Sequence, residues 1–289
     1  MKHVVLNETL YIAKILNNNM SVNHKDIPYV LTLAGKYLYQ KFDAKPRQIK
    51  DELLELVERL DKNNPNGYKN LIDKIASGDV KRKPLIEIPY VAITNWELET
   101  IFTLEDVIER KVCFTLLCLA KYRDMCNANN NGWETYEFTD IFRMANVNLS
   151  GTERAKVINK LIVGGFIKPS KKITNCNYQV IFINNDSPVA LKITDYRDLG
   201  NTLLSYLGED FTRCVICGRL IKRTPKVKRK KYCADCKGKY MYSDTTSKNL
   251  YIPINMRPIT TKCSCCGKEI HINPSLMWLN TLCEDCSKI

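Results

Sequence analysis

Several motifs that would mark an enzyme are missing from this sequence of 289 residues. It contains only three histidines, and it has no glycine-rich phosphate loop, no HExxH pair and no nucleophile elbow. Its carboxylates are not clustered at the spacing of a two-metal site. We therefore expect a protein that is not an enzyme. A carboxylate cluster assembled from distant positions is the one catalytic arrangement that this pattern leaves open.

Long apolar runs are missing as well. No stretch of eighteen apolar residues occurs, and no signal-peptide cleavage site of small residues follows the N-terminal segment. We expect no membrane association and a cytoplasmic location. The chain is 45% hydrophobic and 26% charged, so it is expected to fold, and its length suffices for two or three packed domains.

Cysteines, by contrast, are abundant, and 13 occur in the chain. A reducing cytoplasm disfavours disulfides, so this number indicates metal binding or core packing. Eight of the cysteines form two repeats, and each repeat has two CxxC pairs separated by about fifteen residues. This spacing suits one tetrahedral zinc ion, because each pair folds as a tight turn and the two turns meet at the metal. The predicted ligands are Cys214, Cys217, Cys233 and Cys236 in the first repeat and Cys263, Cys266, Cys283 and Cys286 in the second.

We expect two structural zinc ions per chain, because four thiolates close the coordination sphere and leave no position for a reactive water. Cys265 is ambiguous: it could replace a neighbouring ligand or stay free. The remaining cysteines have no metal spacing and are expected to be small buried core residues. They are Cys113, Cys118, Cys126 and Cys176.

Positive charge is concentrated in the cysteine repeats. The whole chain has a net charge of +13; residues 211–289 hold 16 Lys and Arg against 5 Asp and Glu, a net charge of +11. We interpret the basic loop of the first repeat as a contact for a nucleic-acid backbone, and a basic surface kept for solubility is the alternative. The predicted contacts are Lys222, Arg223, Lys226, Lys228, Arg229, Lys230 and Lys231. The equivalent loop of the second repeat is apolar, which suits either a small core or a docking surface.

The N-terminal 80 residues are predicted to form a helical domain. Apolar residues recur at helical spacing from Leu6 to Leu16 and from Tyr29 to Phe42, and Pro46 and Gly67 precede two further helices. An extended connector with two prolines follows at residues 81–94.

Residues 90–210 are predicted to form a winged helix-turn-helix domain with flanking helices. Thr94 with Glu97, and Thr103 with Asp106, have capping-box spacing and predict two consecutive helices. Within residues 133–183, a short helix from Thr139, a turn, a helix capped by Ser150 and a β-hairpin follow one another. This order is typical of a winged helix.

The second helix of such a domain enters the major groove, while its hairpin lies along the backbone. Its apolar stripe is predicted to comprise Ala155, Ile158, Leu161 and Ile162. The predicted nucleic-acid contacts are Thr152, Arg154, Lys156, Asn159 and Lys160 on the helix and Lys171 and Lys172 on the hairpin. A protein-docking role is the alternative, since any surface helix has a polar outer face.

The predicted fold is therefore a multidomain α+β chain. A helical domain (1–80) and a winged-helix domain (90–210) precede a basic four-cysteine zinc unit (211–245) and a second zinc ribbon (258–289). The first zinc unit is closer to a treble clef, because residues after its last cysteine could form a helix.

One combination of segments resembles a known family. The segments, in chain order, are ERKVCFTLLCLAKY, DIFRMANV, TDYRDLGNTLLSYLGEDFTRCVICGRLIKR and KYCADC. Together they resemble an uncharacterised family of proteins encoded by phages and other mobile elements of Gram-positive bacteria. The resemblance covers most of residues 85–240 and implies a phage or plasmid protein that works on nucleic acid in the host cytoplasm.

Three functions are consistent with these features. The first is a double-stranded DNA-binding regulator or replication-initiation accessory, with sequence read by the helix and affinity supplied by the basic zinc unit. The second is a protein-interaction factor that docks on a host polymerase, replication or defence complex through residues 1–80 or 270–280. The third is a protein that binds single-stranded DNA or RNA, because tyrosines lie among the lysines of the first repeat.

Overall fold

The structure is a computed structural model that describes residues 4–17, 22–78, 84–171, 177–215, 217–223, 231–233, 236, 259–262, 266 and 269–272. For residues 259–262 and 269–272 it describes the backbone alone. Helices and short antiparallel strands both occur, so the mixed α and β class is confirmed. One compact unit contains Asn7–Glu87, here called the helical unit, and another contains Met1–Leu6 and Ile88–Thr246, here called the mixed unit.

The helical unit packs its helices around one apolar core. Their bounds are α1 Glu8–Leu16, α2 Ile27–Phe42, α3 Pro46–Leu60 and α4 Lys69–Ala76. The side chain of Asn7 accepts a hydrogen bond from the Leu10 amide and caps α1, and Pro46 occupies the first turn of α3. Leu31, Leu53 and Ile72 are fully buried where the helices meet. The helices predicted in this part of the sequence are therefore confirmed.

The mixed unit is built around one long buried helix, α6. In chain order its elements are β1 Val91–Thr94, α5 Asn95–Phe102, α6 Val107–Cys126, β2 Trp133–Glu134, α7 Phe138–Met144, α8 Gly151–Val163, β3 Ile167–Pro169, β4 Tyr178–Val180, β5 Val189–Ile193, α9 Leu199–Tyr206, β6 Phe211–Arg213 and β7 Leu220–Lys222. Twelve of the 20 residues of α6 are buried, as its nearly continuous apolar sequence predicts. Helices α5, α7, α8 and α9 all contact it.

Two predicted capping boxes are confirmed and one is wrong. Thr94 with Glu97 caps α5, and Ser150 with Glu153 caps α8. The predicted box of Thr103 with Asp106 does not form, because Asp106 itself caps α6 through a 2.6 Å hydrogen bond from the Ile108 amide. Thr103 instead ends α5.

A three-stranded antiparallel sheet has the order β2–β4–β3; α8 contacts β3, and Phe138 of α7 stacks on Tyr178 of β4. Strands β3 and β4 form a hairpin in which Ile167 pairs with Val180. The buried face of α8 consists of Val157, Ile158 and Leu161. The predicted stripe is therefore partly wrong: Ala155 is exposed, and Val157, one helical turn before Leu161, points inward.

A buried ion pair joins α5 to α6. Lys121 of α6 donates to both carboxylate oxygens of Glu97, at 2.7 and 2.8 Å, and both side chains are buried. The same carboxylate accepts the amides of Thr94 and Asn184 at 2.8 and 3.0 Å. Glu97 thus fixes the start of α5 and the segment that leads to β5.

Helix α9 packs closely against the end of α7, and Gly200 makes this approach possible. A Cβ at this position would lie 1.8 Å from the carbonyl oxygen of Ala145 and 2.5 Å from Cε of Lys111. The Ala145 backbone cannot retreat easily, because its amide closes the last turn of α7 on Ile141. Glycine is therefore required here for space, not for an unusual backbone conformation.

Gly200→Ala is expected to destabilise the mixed unit by about 3 kcal/mol, because a side-chain atom must be forced into a backbone contact. Hydrogen exchange of the α6 amides reports the free energy of opening of this unit alone. The control is Gly151→Ala at the start of α8, where an added Cβ meets nothing within 4 Å. Equal protection of α6 in both variants would contradict the prediction.

No helix in the described ranges combines the length and the apolar character that a bilayer crossing needs.

Candidate metal centre and nucleic-acid interface

The first CxxC pair lies at the tip of the β6–β7 hairpin. Phe211 pairs with Lys222 and Arg213 with Leu220. The Cys214 amide donates to the Arg219 carbonyl at 2.8 Å, and the Gly218 amide donates to the Cys214 carbonyl at 2.8 Å. Gly218 has φ +73°, a left-handed conformation that glycine adopts without strain. These bonds turn the chain tightly around the first cysteine.

The second CxxC pair is brought to the same place by a backbone hydrogen bond from the Val215 amide to the Lys231 carbonyl, at 3.1 Å. The Cys236 amide donates to the Cys233 carbonyl at 3.2 Å, which closes the second turn. As a result, the four sulfur atoms of Cys214, Cys217, Cys233 and Cys236 all lie within 4.8 Å of one another. The sulfurs of Cys217 and Cys233 are 3.7 Å apart.

This cluster fits the dimensions of a zinc centre. Zinc–sulfur bonds of about 2.3 Å in a tetrahedron place neighbouring sulfurs about 3.8 Å apart. Burial raises the pKa of the Cys217 and Cys236 thiols, so without a cation the site favours thiols over thiolates. Four cysteines at this distance are close enough to hold one metal ion and would fill all four tetrahedral positions.

The second repeat has the same hairpin around its first CxxC pair. Strands β8 Ile259–Lys262 and β9 Glu269–Ile272 are antiparallel, and Lys262 pairs with Glu269 across seven positions, as Arg213 does with Leu220. Cys266 is exposed in the turn. The predicted ligands Cys263, Cys283 and Cys286, and the ambiguous Cys265, lie outside the described residues.

The cysteines outside the repeats are only partly core residues. Cys113 and Cys118 of α6 are fully buried, as predicted, whereas Cys126 is exposed. The prediction for Cys126 is wrong because this residue ends α6, where the helix leaves the core. Cys176 lies outside the described residues.

Four of the five polar residues predicted on α8 are exposed at the helix surface, and Arg154 is partly buried. Thr152, Lys156 and Asn159 occupy successive turns on the side of α8 away from its buried face. Lys160, although 63% exposed, and Arg154 each have a partner within the protein. The ammonium group of Lys160 is hydrogen-bonded to Glu109 of α6, which raises the pKa of Lys160. The guanidinium of Arg154 lies 5.7 Å from the centre of the Phe142 ring, and its Nε is buried without a hydrogen-bond partner.

The predicted basic contacts outside α8 are described only in part. Lys171 is exposed in the β3–β4 hairpin. Lys222 is paired with Glu209 at 2.6 Å and Arg223 with Asp210 at 3.6 Å, and Lys231 is exposed beside the second CxxC pair. The others lie outside the described residues: Lys172, Lys226, Lys228, Arg229 and Lys230.

The arginines that anchor the first cysteine repeat were not among the predicted residues. Arg197 is ion-paired with Asp195 and donates to the Cys217 carbonyl. Arg219 makes two hydrogen bonds to Asp198, at 2.6 and 3.0 Å, and Asp198 accepts from the side chain of Asn146 at 2.8 Å. No local motif identifies these partners, because Asn146 and Arg219 are 73 positions apart. They join the cysteine repeat to the turn that precedes α8.

Comparison with known proteins found no match: no family model, no curated protein and no solved structure is similar to this chain.

Proposed function

We propose that this protein binds double-stranded DNA, as a transcription regulator or replication-initiation accessory of a phage or another mobile element. The observation that carries the proposal is the arrangement of α7, the turn, α8 and the β3–β4 hairpin, with a basic four-cysteine repeat bonded to the same turn. This order of elements supports a winged helix-turn-helix, in which α8 is the recognition helix.

The exposed side chains of α8 support a role in base reading. Asparagine can make two hydrogen bonds to adenine in the major groove, and threonine contacts bases or the thymine methyl group. Asn159 and Thr152 therefore supply sequence preference, and Lys156 supplies a phosphate contact. Arg154 and Lys160 take a smaller part, because Phe142 and Glu109 already hold them.

We further propose that each cysteine repeat holds one structural zinc ion. The sulfur spacing of the first repeat supports its site, and the matching β8–β9 hairpin supports a second site of the same kind. Metal analysis of the purified chain is expected to give two zinc ions per chain. A measured content of one zinc ion per chain would support the first site and contradict the second. A chain without bound metal would contradict both sites.

Two substitutions on α8 test the division of roles on DNA. The metal-loaded full chain is used to select preferred sequences from a randomised duplex pool, and binding is measured over a salt series. Asn159→Ala is expected to reduce the preference for the selected sequence by about 1–3 kcal/mol. Lys156→Gln is expected to weaken all duplexes alike and to reduce the salt slope by about 1.

The matched control is Lys62→Gln, which removes the same charge from an exposed lysine of the helical unit and is expected to leave binding unchanged. If both α8 variants weaken every duplex equally, α8 does not read sequence. If the metal-loaded chain shows no salt-dependent affinity for duplex DNA, the proposal fails. If the chain binds single-stranded DNA or RNA more tightly than duplex DNA, a single-strand-binding function is favoured instead.

A second candidate, a protein-docking factor, is favoured by one observation. Two basic side chains of α8, Arg154 and Lys160, already have partners in the protein, the Phe142 ring and the Glu109 carboxylate. DNA would have to compete with these partners for both side chains. Docking would be supported by two results together. The chain captures a stoichiometric host protein from a nuclease-treated lysate, and it shows no affinity for duplex DNA.

A further inference from the structure

The first cysteine repeat is joined to the turn before α8 through a chain of three polar side chains, here called the bridge: Arg219, Asp198 and Asn146. The first link is a two-pronged ion pair. Nε of Arg219 donates to one carboxylate oxygen of Asp198 at 2.6 Å, and a terminal nitrogen donates to the other at 3.0 Å. The Asp198 side chain is only 7% exposed, so this ion pair is largely shielded from water.

The second link joins Asp198 to the turn. The side-chain amide of Asn146 donates to Asp198 at 2.8 Å, and its oxygen accepts the Asn201 amide at 3.1 Å. The Asn146 carbonyl accepts from the ammonium group of Lys111 at 2.8 Å. Asn146 has φ +53°, the left-handed conformation that asparagine adopts more readily than most residues and that commonly ends a helix.

The backbone of Arg219 belongs to the metal-binding turn itself. Its carbonyl accepts the amide of Cys214, one of the four clustered cysteines, and the preceding residue, Gly218, donates to the Cys214 carbonyl. A change in the Cys214–Arg219 turn is therefore expected to move the guanidinium that pairs with Asp198. Near the other end of the bridge, α9 approaches the end of α7 closely, since a Cβ at Gly200 would lie 1.8 Å from the carbonyl oxygen of Ala145.

We infer that the bridge makes metal binding at the first cysteine repeat control the conformation of the turn before α8, so that Arg219 and Asn146 are positioning residues for the nucleic-acid interface. With metal bound, the Cys214–Arg219 turn is closed and Arg219 holds Asp198 and Asn146 in place. Without metal, the two CxxC turns lose the ion that joins their four sulfurs, the Cys214–Arg219 turn opens more easily, and Arg219 is released. Asp198 then becomes a buried carboxylate without a cation, and Asn146 loses its fixed partner.

This inference rests on the proposed metal centre and concerns the proposed DNA-binding helix. Its consequence for function is that metal removal weakens sequence recognition by α8, even though α8 itself carries no metal ligand. Coupling between two sites in one domain commonly amounts to a factor of roughly 5 to 150. On metal removal, we expect the equilibrium constant for opening of the turn to rise roughly tenfold.

Hydrogen exchange of the full chain tests the inference without using DNA. The Asn146 and Val147 amides report on the turn, because they donate to the carbonyls of Arg143 and Phe142. In the parent chain, removal of metal by a chelator is expected to accelerate their exchange roughly tenfold, and added zinc is expected to restore it. Metal content is measured on each sample.

Two variants break the bridge from opposite ends. Arg219→Gln retains all four cysteines, and Asn146→Gly accepts the left-handed backbone while losing the side-chain amide. In both, zinc is expected to remain bound, and chelation is expected to leave the exchange of the Val147 amide unchanged. The matched control is Arg213→Gln, which removes the same charge from the same hairpin; Arg213 contacts the Gly218 carbonyl and not Asp198. This control is expected to keep the full tenfold response.

Three results would overturn the inference. First, the Asn146 and Val147 amides could exchange at the same rate with and without metal, while the Cys214 and Gly218 amides lose protection when metal is removed. Arg219→Gln could keep the tenfold response. The α6 amides could lose protection together with the turn, which would mean that metal stabilises the whole mixed unit. These results can be told apart from failure of the proposed functions. A chain that takes up no zinc has no metal centre. If the exchange of the turn responds to metal but the chain has no affinity for duplex DNA, the DNA-binding proposal is wrong and the inference stands.

Discussion

Cys233→Ser is expected to remove the metal ion from the first cysteine repeat. Structural zinc binds with an apparent free energy of about 10–16 kcal/mol at neutral pH, and this energy also holds the folded chain around the ion. Serine offers a poor ligand in place of a thiolate, and it leaves three sulfurs that no longer close the tetrahedron. Metal analysis after dialysis should give one ion fewer per chain than the parent protein.

The structural consequence should be local and large. Among the residues that the structure describes in the first repeat, the CxxC turns have few apolar neighbours: their core consists of Cys214, Ile221, Cys233 and Cys236 with two partly buried residues. Without metal, the Cys214 and Gly218 amides are expected to exchange at nearly the rate of an unfolded chain. This dependence follows from the small size of the core.

The control for this prediction is Cys126→Ser. Cys126 is an exposed cysteine at the end of α6, away from both CxxC repeats in sequence, so its replacement should leave the metal content unchanged. An unchanged metal content in Cys233→Ser would mean that the four-cysteine cluster is not the binding site.

Lys121→Met is expected to lower the free energy of unfolding of the mixed unit by about 3–5 kcal/mol. The substitution leaves the fully buried carboxylate of Glu97 without a cation. The carboxylate would retain the amides of Thr94 and Asn184, but two neutral donors do not balance a charge removed from water. The effect is measurable by denaturant unfolding and by hydrogen exchange of α6.

The double variant Glu97→Gln with Lys121→Met separates charge from packing. It removes both charges and keeps an amide oxygen to accept from Thr94, so most of the lost stability should return. If the double variant is as unstable as Lys121→Met, the loss comes from the packing of the lysine stem instead. A single variant within 1 kcal/mol of the parent would contradict the prediction altogether.

The local features of this chain were predictable from its sequence. In the helical unit, α3 starts at Pro46 as predicted, whereas α2 starts at Ile27, two residues before the predicted start at Tyr29, and ends at Phe42 as predicted. The caps at Thr94 and Ser150 form as expected, because a capping box involves residues only three positions apart. The cap at Thr103 was mispredicted for the same local reason: Asp106 offered a competing acceptor within the same turn.

The helix faces were predictable only in part. A stripe through Ala155 and a stripe through Val157 are both compatible with the spacing of Ile158 and Leu161. The contact of α8 with α6 and with β3 decides in favour of Val157, which is larger and gains more from burial. Likewise, the sequence of α6 does not indicate that its last turn, with Cys126, leaves the core.

The cysteine cluster was predictable in its ligands but not in the charge of the surface around it. Spacing alone indicated which four residues of the first repeat come together, because a CxxC turn is a local structure and a shared metal demands a second one. The charge of the surrounding surface was less predictable. Lys160, Lys222 and Arg223 look like free basic residues in the sequence, yet each has an acidic partner in the structure.

The sequence by itself therefore determined the thiol chemistry of the first repeat, the positions of most helices and the order of elements around α8. These depend on spacing, caps and periodicity, which act over a few residues. Only the tertiary structure decided which basic side chains are exposed and that Arg219, Asp198 and Asn146 join the cysteine repeat to the turn before α8. Such contacts depend on packing between distant segments, and hydrogen bonds between residues 52 and 21 positions apart leave no periodic trace in the chain.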